Sequence, residues 1–160
     1  MTIYVLRHAI AEVRRQGHPD ATRALTASGM QKLRIVLRRA RQAGVSPAVI
    51  LTSPYTRAEE TAEIAAEILG CKRKLIITKA LLPSSSPDRI WKEISAIEAP
   101  SVLIAGHEPL LSQFVAFLLN CPAFQVDLKK GAMVRLDVAS SEQRPNGILK
   151  WMLTPKLAGA

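Results

Sequence analysis

The chain has 160 residues, 48% of them hydrophobic, and carries 22 Lys and Arg against 13 Asp and Glu, a net charge of +9. That balance supplies a core and excludes a disordered, collagenous or coiled-coil chain. The excess positive charge makes an anionic ligand the first class to weigh: nucleic acid, a membrane surface or an acidic partner.

In chain order, the first element is the β-rich run Ile3 to Leu6, which passes directly into Arg7 and His8. No basic leader, long apolar stretch or small-residue cleavage site precedes it, so it reads as a strand rather than a signal peptide, and a cytoplasmic location is expected. A helical pattern follows over Ser28 to Ala43, opened by the capping-box sequence Ser28-Gly29-Met30-Gln31 and closed before Gly44. Its apolar residues at 30, 33, 36, 37 and 40 keep the helical period. Ala48 to Leu51 is a second apolar strand, and a helix starting near Pro54 carries Ala58, Ala62, Ala65 and Leu69 and stops at Gly70. Leu75 to Thr78 is a weaker strand and Pro87 to Ile97 a short helix. Ser101 to Ala105 is a further strong strand. The helix after it, Leu110 to Leu119, is interrupted by Ser112 and Gln113 and is far too short to span a bilayer. After Pro122, the strand candidates Ala132 to Val138 and Gly147 to Leu153 flank the turn-rich stretch Ser140 to Asn146 and predict a terminal hairpin.

Continuous apolar runs suit strands buried on both faces of a sheet. Their alternation with amphipathic helices predicts one α/β domain over residues 1–160. The expected architecture is a three-layer sandwich, with a mostly parallel central sheet flanked by helices and a C-terminal hairpin. Cys71 and Cys121 show no metal-ligand spacing and read as buried or partly buried thiols in a reducing compartment. Trp91 and Trp151 read as packing residues, and His18 as an exposed loop residue.

Three strand ends carry the chemistry. The first leads into Arg7-His8, the second into Thr52-Ser53-Pro54-Tyr55-Thr56-Arg57, and the third into Gly106-His107-Glu108-Pro109. Carboxyl ends of parallel strands meet along one sheet edge, where ligands bind. Two histidines and two arginines are therefore expected to converge. Arginine offers a planar fork for phosphate oxygens, and helix N-termini add backbone N–H groups. A neutral histidine nitrogen can attack phosphorus, and a second histidine can donate to the developing charge. This inventory fits phosphoryl transfer through a phosphohistidine without a metal. Nothing here has the spacing of a metal motif. An Arg57 in a first helical turn opposes the helix dipole, which again calls for an anion nearby.

Arg7-His8, Ser53-Pro54-x-x-Arg57-Ala58-x-x-Thr61-Ala62 and Gly106-His107-x-Pro109 together resemble the histidine phosphatase superfamily, which includes phosphoglycerate mutases and acid phosphatases. The short length and Asp20-x-x-Arg23-x-Leu25-Thr26-x-x-Gly29 look more like the small SixA-type phosphohistidine phosphatases. The resemblance implies that His8 is the nucleophile that becomes phosphorylated and that Arg7, Arg57 and His107 clasp the phosphoryl oxygens. It also implies that Arg23 reaches the same pocket with Asp20 orienting it, and that no cofactor is used. Ala9 stands where the family usually has Gly, a tolerated methyl unless the backbone there needs a positive φ. The mutase branch supplies a carboxylate general acid from the region that here reads Leu81 to Asp88, which has no Glu.

An alkoxide leaving group needs a proton in the transition state, whereas a protonated imidazole leaves readily. The expected activity is therefore hydrolysis of phosphohistidine, a P–N bond, in a protein substrate. The alternative within the family is a small phosphomonoesterase or sugar phosphatase acting on a small phosphorylated molecule. Glu12 and Glu108, close in sequence to the site, could position a histidine. The remaining basic residues, Arg14, Arg15, Arg34, Arg38, Arg39, Arg41, Lys72-Arg73-Lys74 and Lys129-Lys130, read as a solvated surface or as a docking face for an acidic phosphotransfer domain. Nucleic-acid binding is the competing class, and only charge speaks for it: aromatics make up 4% and no nucleic-acid motif is present. No nucleic-acid or membrane partner is expected.

Overall fold

The structure is a computed structural model that describes residues 1–73, 75–139 and 145–160. Six strands form one sheet: β1 (Thr2–Arg7), β2 (Val49–Thr52), β3 (Ile76–Ile77), β4 (Ser101–Gly106), β5 (Met133–Val138) and β6 (Gly147–Leu153). Their order across the sheet is β3-β2-β4-β1-β5-β6. The first four in that order run parallel, while β5 and β6 pair antiparallel to β1 and to each other. The sheet is thus mostly parallel and ends in a hairpin. Residues 140–144 of the turn-rich stretch lie outside the described residues, as does Lys74 of the basic triplet.

Among the described residues, five α-helices accompany the sheet: α1 (Ala27–Gln42), α2 (Thr56–Leu69), α3 (Pro87–Ser95), α4 (Leu110–Leu118) and α5 (Pro155–Ala158). Alternate residues of each central strand point to opposite layers, as the pleat requires. Ile3 and Val5 of β1, Val49 and Leu51 of β2 and Val102 and Ile104 of β4 pack on Ile90 and Ile94 of α3 and Leu111, Phe114 and Leu118 of α4. Tyr4 and Leu6, Ile50, and Leu103 and Ala105 pack instead on Leu33, Leu37 and Ala40 of α1 and Ala62, Ala65 and Ile68 of α2. Both faces being covered explains why these strands read as unbroken apolar runs.

Helix boundaries correct the sequence reading in one informative place. The cap of α1 is Thr26, whose Oγ1 accepts from the Gly29 N–H at 3.0 Å, and not Ser28 of the capping-box sequence. The Thr26 N–H in turn donates to the Ile10 carbonyl, and a Cβ on Gly29 would fall on that same carbonyl. This close approach pins the chain after His8 to the start of α1. Met30, expected on the inward face, is exposed, and Gly29 takes the inward position of that turn. The helix begins at Ala27, one residue before the Ser28 start read from the capping-box sequence, because the cap is set by this tertiary contact. The second helix likewise starts at Thr56 rather than Pro54, with Tyr55 at its cap and Gly70 in the left-handed region at its end. The exposed face of α1 is partly structural: Arg34 forks onto the Glu67 carboxylate and Arg41 donates to the Ile68 carbonyl, tying α1 to α2. Trp91 is buried, whereas Cys121 is exposed rather than buried because it lies beyond the end of α4. No helix among the described residues is long and apolar enough to cross a membrane.

Candidate active site

Strand register places the three strand ends at one level. Arg7 is paired with Gly106 and Thr52 with Ala105. The His8 N–H donates to the Gly106 carbonyl at 3.0 Å, and the Ser53 N–H to the Ala105 carbonyl at 3.1 Å. His8 follows β1 and His107 follows β4, so the paired strands bring the two rings to 5.1 Å between centroids. Both rings are buried, as is Arg57 in the first turn of α2.

The His8 ring is wired at both nitrogens. Its Nδ1 lies 2.7 Å from the Ala9 carbonyl oxygen, which can only accept, so Nδ1 carries the proton. Nε2 is therefore bare, and the Arg57 Nε–H donates to it at 3.3 Å. Burial, reinforced by the neighbouring Arg57 and Arg7 charges, lowers the His8 pKa to about 4, so the ring is neutral near pH 7. A neutral imidazole with its proton held on the far nitrogen presents a lone pair for attack.

Arg57 is held from three sides. Its Nη1 donates to the Asp20 carbonyl at 2.8 Å, its Nη2 to Asp20 Oδ2 at 3.0 Å, and its guanidinium lies 4.9 Å over the Tyr55 ring. Asp20 Oδ1 accepts from Arg23 Nε at 2.8 Å, and Arg23 Nη1 donates to the Glu12 carbonyl at 2.8 Å. Asp20 therefore bridges Arg23 and Arg57. Partial burial pushes the Asp20 carboxyl up, but the hydrogen bonds from Arg23 and Arg57 outweigh this and hold it below the usual carboxylate range. On the other side, Thr61 Oγ1 donates to the Arg57 carbonyl at 2.6 Å and accepts the Ala9 N–H at 3.2 Å, coupling β1's end to α2. Ala9 is buried with a negative φ, so the methyl in place of Gly imposes no backbone strain.

Arg7 is clamped by the segment ahead of β5. Its Nη1 donates to the Leu128 carbonyl at 2.8 Å, and the Gly131 N–H reaches the carbonyls of both Arg7 and His8 at 3.1 Å. The Arg7 Nε and the His107 Nδ1 are buried without a hydrogen-bond partner. Each unpartnered buried polar atom is costly, so two of them on paired strand ends mark a place suited to a polar ligand. An oxyanion is the chemistry that an Arg N–H, a clasping guanidinium and two neutral imidazoles accommodate together. Burial and the adjacent His8 and Arg57 lower the His107 pKa to about 3. The site's other contacts correct two readings. Glu108 turns its carboxylate onto the Ser112 N–H and hydroxyl in α4, and Glu12 supplies only its backbone carbonyl, so neither carboxylate orients a histidine. Ser53, a motif position to which the sequence assigned no role, and Tyr55, one of the motif's spacers, do touch His107: Ser53 Oγ is 2.8 Å from its Nε2, and the Tyr55 ring stands edge-on at 5.0 Å.

A family model described as the histidine phosphatase superfamily (branch 1) matches residues 3–82. An uncharacterized protein of Picosynechococcus sp. is 34% identical over 140 residues, covering 85% of this chain and 84% of that protein. The phosphohistidine phosphatase SixA of Escherichia coli is 24% identical over 158 residues, covering 97% of this chain and 94% of its own. A solved structure of the protein histidine phosphatase SixA complexed with tungstate superposes with a TM-score of 0.87 at 25% identity, over 98% of each chain. More distant solved structures include phosphatases of glucosyl-3-phosphoglycerate and α-ribazole-5′-phosphate, and at that distance the likeness is one of fold alone. With the strand-end pocket and these likenesses agreeing, the chain belongs to the histidine phosphatase superfamily and is similar to the SixA proteins over nearly its whole length.

Proposed function

We propose that this protein hydrolyses the P–N bond of phosphohistidine in a protein substrate, through a phosphohistidine formed on its own His8. The observation that carries the reading is the His8 ring, protonated at Nδ1 toward Ala9 and bare at Nε2 beneath Arg57. In the first step the Nε2 lone pair attacks phosphorus and the P–N bond to the substrate imidazole breaks, the electron pair leaving with the ring, which takes up a proton. In the second step water attacks the phosphorylated His8, releasing orthophosphate and restoring the neutral ring. Arg7, Arg57 and His107 neutralise and hydrogen-bond the equatorial oxygens in both steps. Arg23 adds charge at the rim, and Asp20 fixes the Arg57 fork. No step uses a metal or another cofactor, so a chelator leaves turnover unchanged.

The preference for P–N over ester substrates rests on where the carboxylates are spent. Asp20 is bound to two arginines, Glu108 to Ser112, and Glu60 Oε2 to the Leu25 N–H. None is free beside His8 to protonate an alkoxide, while an imidazole leaving group takes its proton near neutral pH. The exposed Arg14, Arg15, Lys129 and Lys130 suit an acidic surface around the substrate histidine, such as that of a phosphotransfer domain. We place this activity in the cytoplasm, with the whole chain acting as one domain. The test compares initial rates on a phosphohistidine peptide and phosphoramidate with those on phosphoserine and sugar phosphates. Faster hydrolysis of the esters would sink the P–N reading in favour of a small phosphomonoesterase. A salt-steep, tight affinity for DNA or RNA would replace it with nucleic-acid binding.

A further inference from the structure

We infer that Ser53 is a positioning residue that sets the tautomer of His107, so that the neutral ring bears its proton on Nδ1 and presents it as a donor. The inference rests on the reading above that this pocket holds a phosphoryl group, because only there does the choice of nitrogen matter.

Counting hydrogens decides the direction of the Ser53–His107 bond. Ser53 and His107 are both buried, so neither can turn to water. Ser53 Oγ has two polar neighbours: the Tyr55 N–H, which donates to it at 3.4 Å, and His107 Nε2 at 2.8 Å. The Tyr55 amide cannot accept, so the hydroxyl proton has one acceptor, the bare Nε2. With the hydroxyl donating, the ring proton sits on Nδ1, and one buried group is left without a partner. With Nε2–H donating instead, the serine proton and the Nδ1 lone pair are both stranded. Buried polar groups are overwhelmingly satisfied, so the first arrangement wins. The ring is then the reverse of a bare base: its one free atom, Nδ1, is an N–H donor.

The functional consequence is specific to a ring that is neutral at the working pH. An imidazolium would donate from both nitrogens whatever Ser53 did. A neutral ring donates from one nitrogen only, and the wrong choice would turn a lone pair toward the oxyanion. Ser53 thus does for His107 what the Ala9 carbonyl does for His8, with opposite polarity: a carbonyl holds the His8 proton away from the reacting atom, and a hydroxyl holds the His107 proton toward the ligand.

The experiment is ¹H–¹⁵N correlation of the histidine ring nitrogens of the full-length protein at pH 7.5, with and without orthophosphate, in the wild type, Ser53→Ala and Ser53→Thr. The expected wild-type His107 pattern is protonated Nδ1 and bare Nε2. Ser53→Ala moves it toward Nε2–H, and Ser53→Thr, which keeps the hydroxyl, restores it. In turnover, Ser53→Ala lowers kcat by about tenfold with little change in KM, short of the roughly 10²–10³-fold that outright loss of an oxyanion donor costs. A wild-type ring protonated at Nε2, or a pattern unchanged in Ser53→Ala, overturns the inference whatever the protein hydrolyses. A Nδ1–H resonance that is present, depends on Ser53 and ignores orthophosphate upholds the Ser53 assignment and defeats the phosphoryl reading instead.

Discussion

The end of β1 and the end of β4 each hold a buried, neutral histidine, yet they are wired for different tasks. His8 is committed at both nitrogens, with Nδ1 on a backbone carbonyl and Nε2 under a guanidinium. His107 is committed at one nitrogen only and keeps the other buried without a partner. Burial is the largest cause of the lowered pKa in both rings. What separates them is hydrogen bonding. On the reading proposed above, a ring whose proton is locked on the far nitrogen suits a nucleophile, and a ring whose free nitrogen carries the proton suits a donor. One burial environment thus supports two roles, assigned by a carbonyl on one side and a hydroxyl on the other.

The widest test of that contrast is to remove each ring in turn. Replacing the proposed nucleophile, His8→Ala, should abolish turnover of a phosphohistidine peptide, a fall of roughly 10⁴-fold or more, because the proposed phosphoenzyme can then no longer form. His107→Ala should cost only roughly 10²–10³-fold in kcat, the usual effect of losing one transition-state donor. Phosphorus NMR separates the two further: the His107 variant still forms a phosphoimidazole signal, and the His8 variant never does. Equal losses in both, or a phosphoenzyme in His8→Ala, would erase the distinction.

A pH experiment probes what the rings share. Both have folded-state pKa values, about 4 and about 3, below the ordinary imidazole value. Below about pH 6.5 the unfolded chain therefore binds protons that the folded chain refuses. Stability is full above that pH and is lost as pH falls toward the folded values. By pH 5 each ring costs about 2 kcal/mol relative to neutral pH. Urea unfolding at pH 7.5 and pH 5.0 reads this directly: His8→Ala and His107→Ala should each lose less stability across the interval than the wild type, by about that amount. Orthophosphate, whose charge favours the protonated rings, should flatten the wild-type loss.

The meeting of the two rings at one sheet edge is legible in the sequence. Unbroken apolar runs ending in Arg7-His8, Ser53 and Gly106-His107 place these residues on one sheet edge, because parallel strands share a direction. The pairing of polar atoms was not legible. Ser53 and Thr61 are motif positions without an assigned role until register sets Ser53 against His107 and the Thr61 hydroxyl is seen joining Ala9 to Arg57. Glu12 and Glu108 invite a role by proximity in sequence, yet one side chain faces solvent and the other closes on Ser112. The start of α1 is misjudged for the same reason, since Thr26 is chosen as its cap by the Ile10 contact rather than by local pattern. Periodicity reports which face is buried; it does not report which donor meets which acceptor.

Asp20 gives the finest test, because it touches only the His8 half. Its carboxylate separates two guanidiniums that would otherwise repel, holding Arg57 at 3.0 Å and Arg23 at 2.8 Å. Asp20→Asn keeps the shape and one acceptor but deletes the negative charge. Two effects then oppose each other. The Arg57 fork is aligned less firmly, which weakens transition-state stabilisation, while the pocket becomes more positive, which favours any anion in the ground state. Alignment is expected to dominate kcat, with a fall of about tenfold, near the low end for general electrostatic positioning. Charge is expected to dominate binding, so orthophosphate inhibits the variant at least as well as the wild type. The His107 ring pattern should not change, because Ser53 and not Asp20 sets it. A variant that loses orthophosphate affinity along with kcat would show that Asp20 holds the loop in place rather than aiming Arg57 at the phosphoryl group.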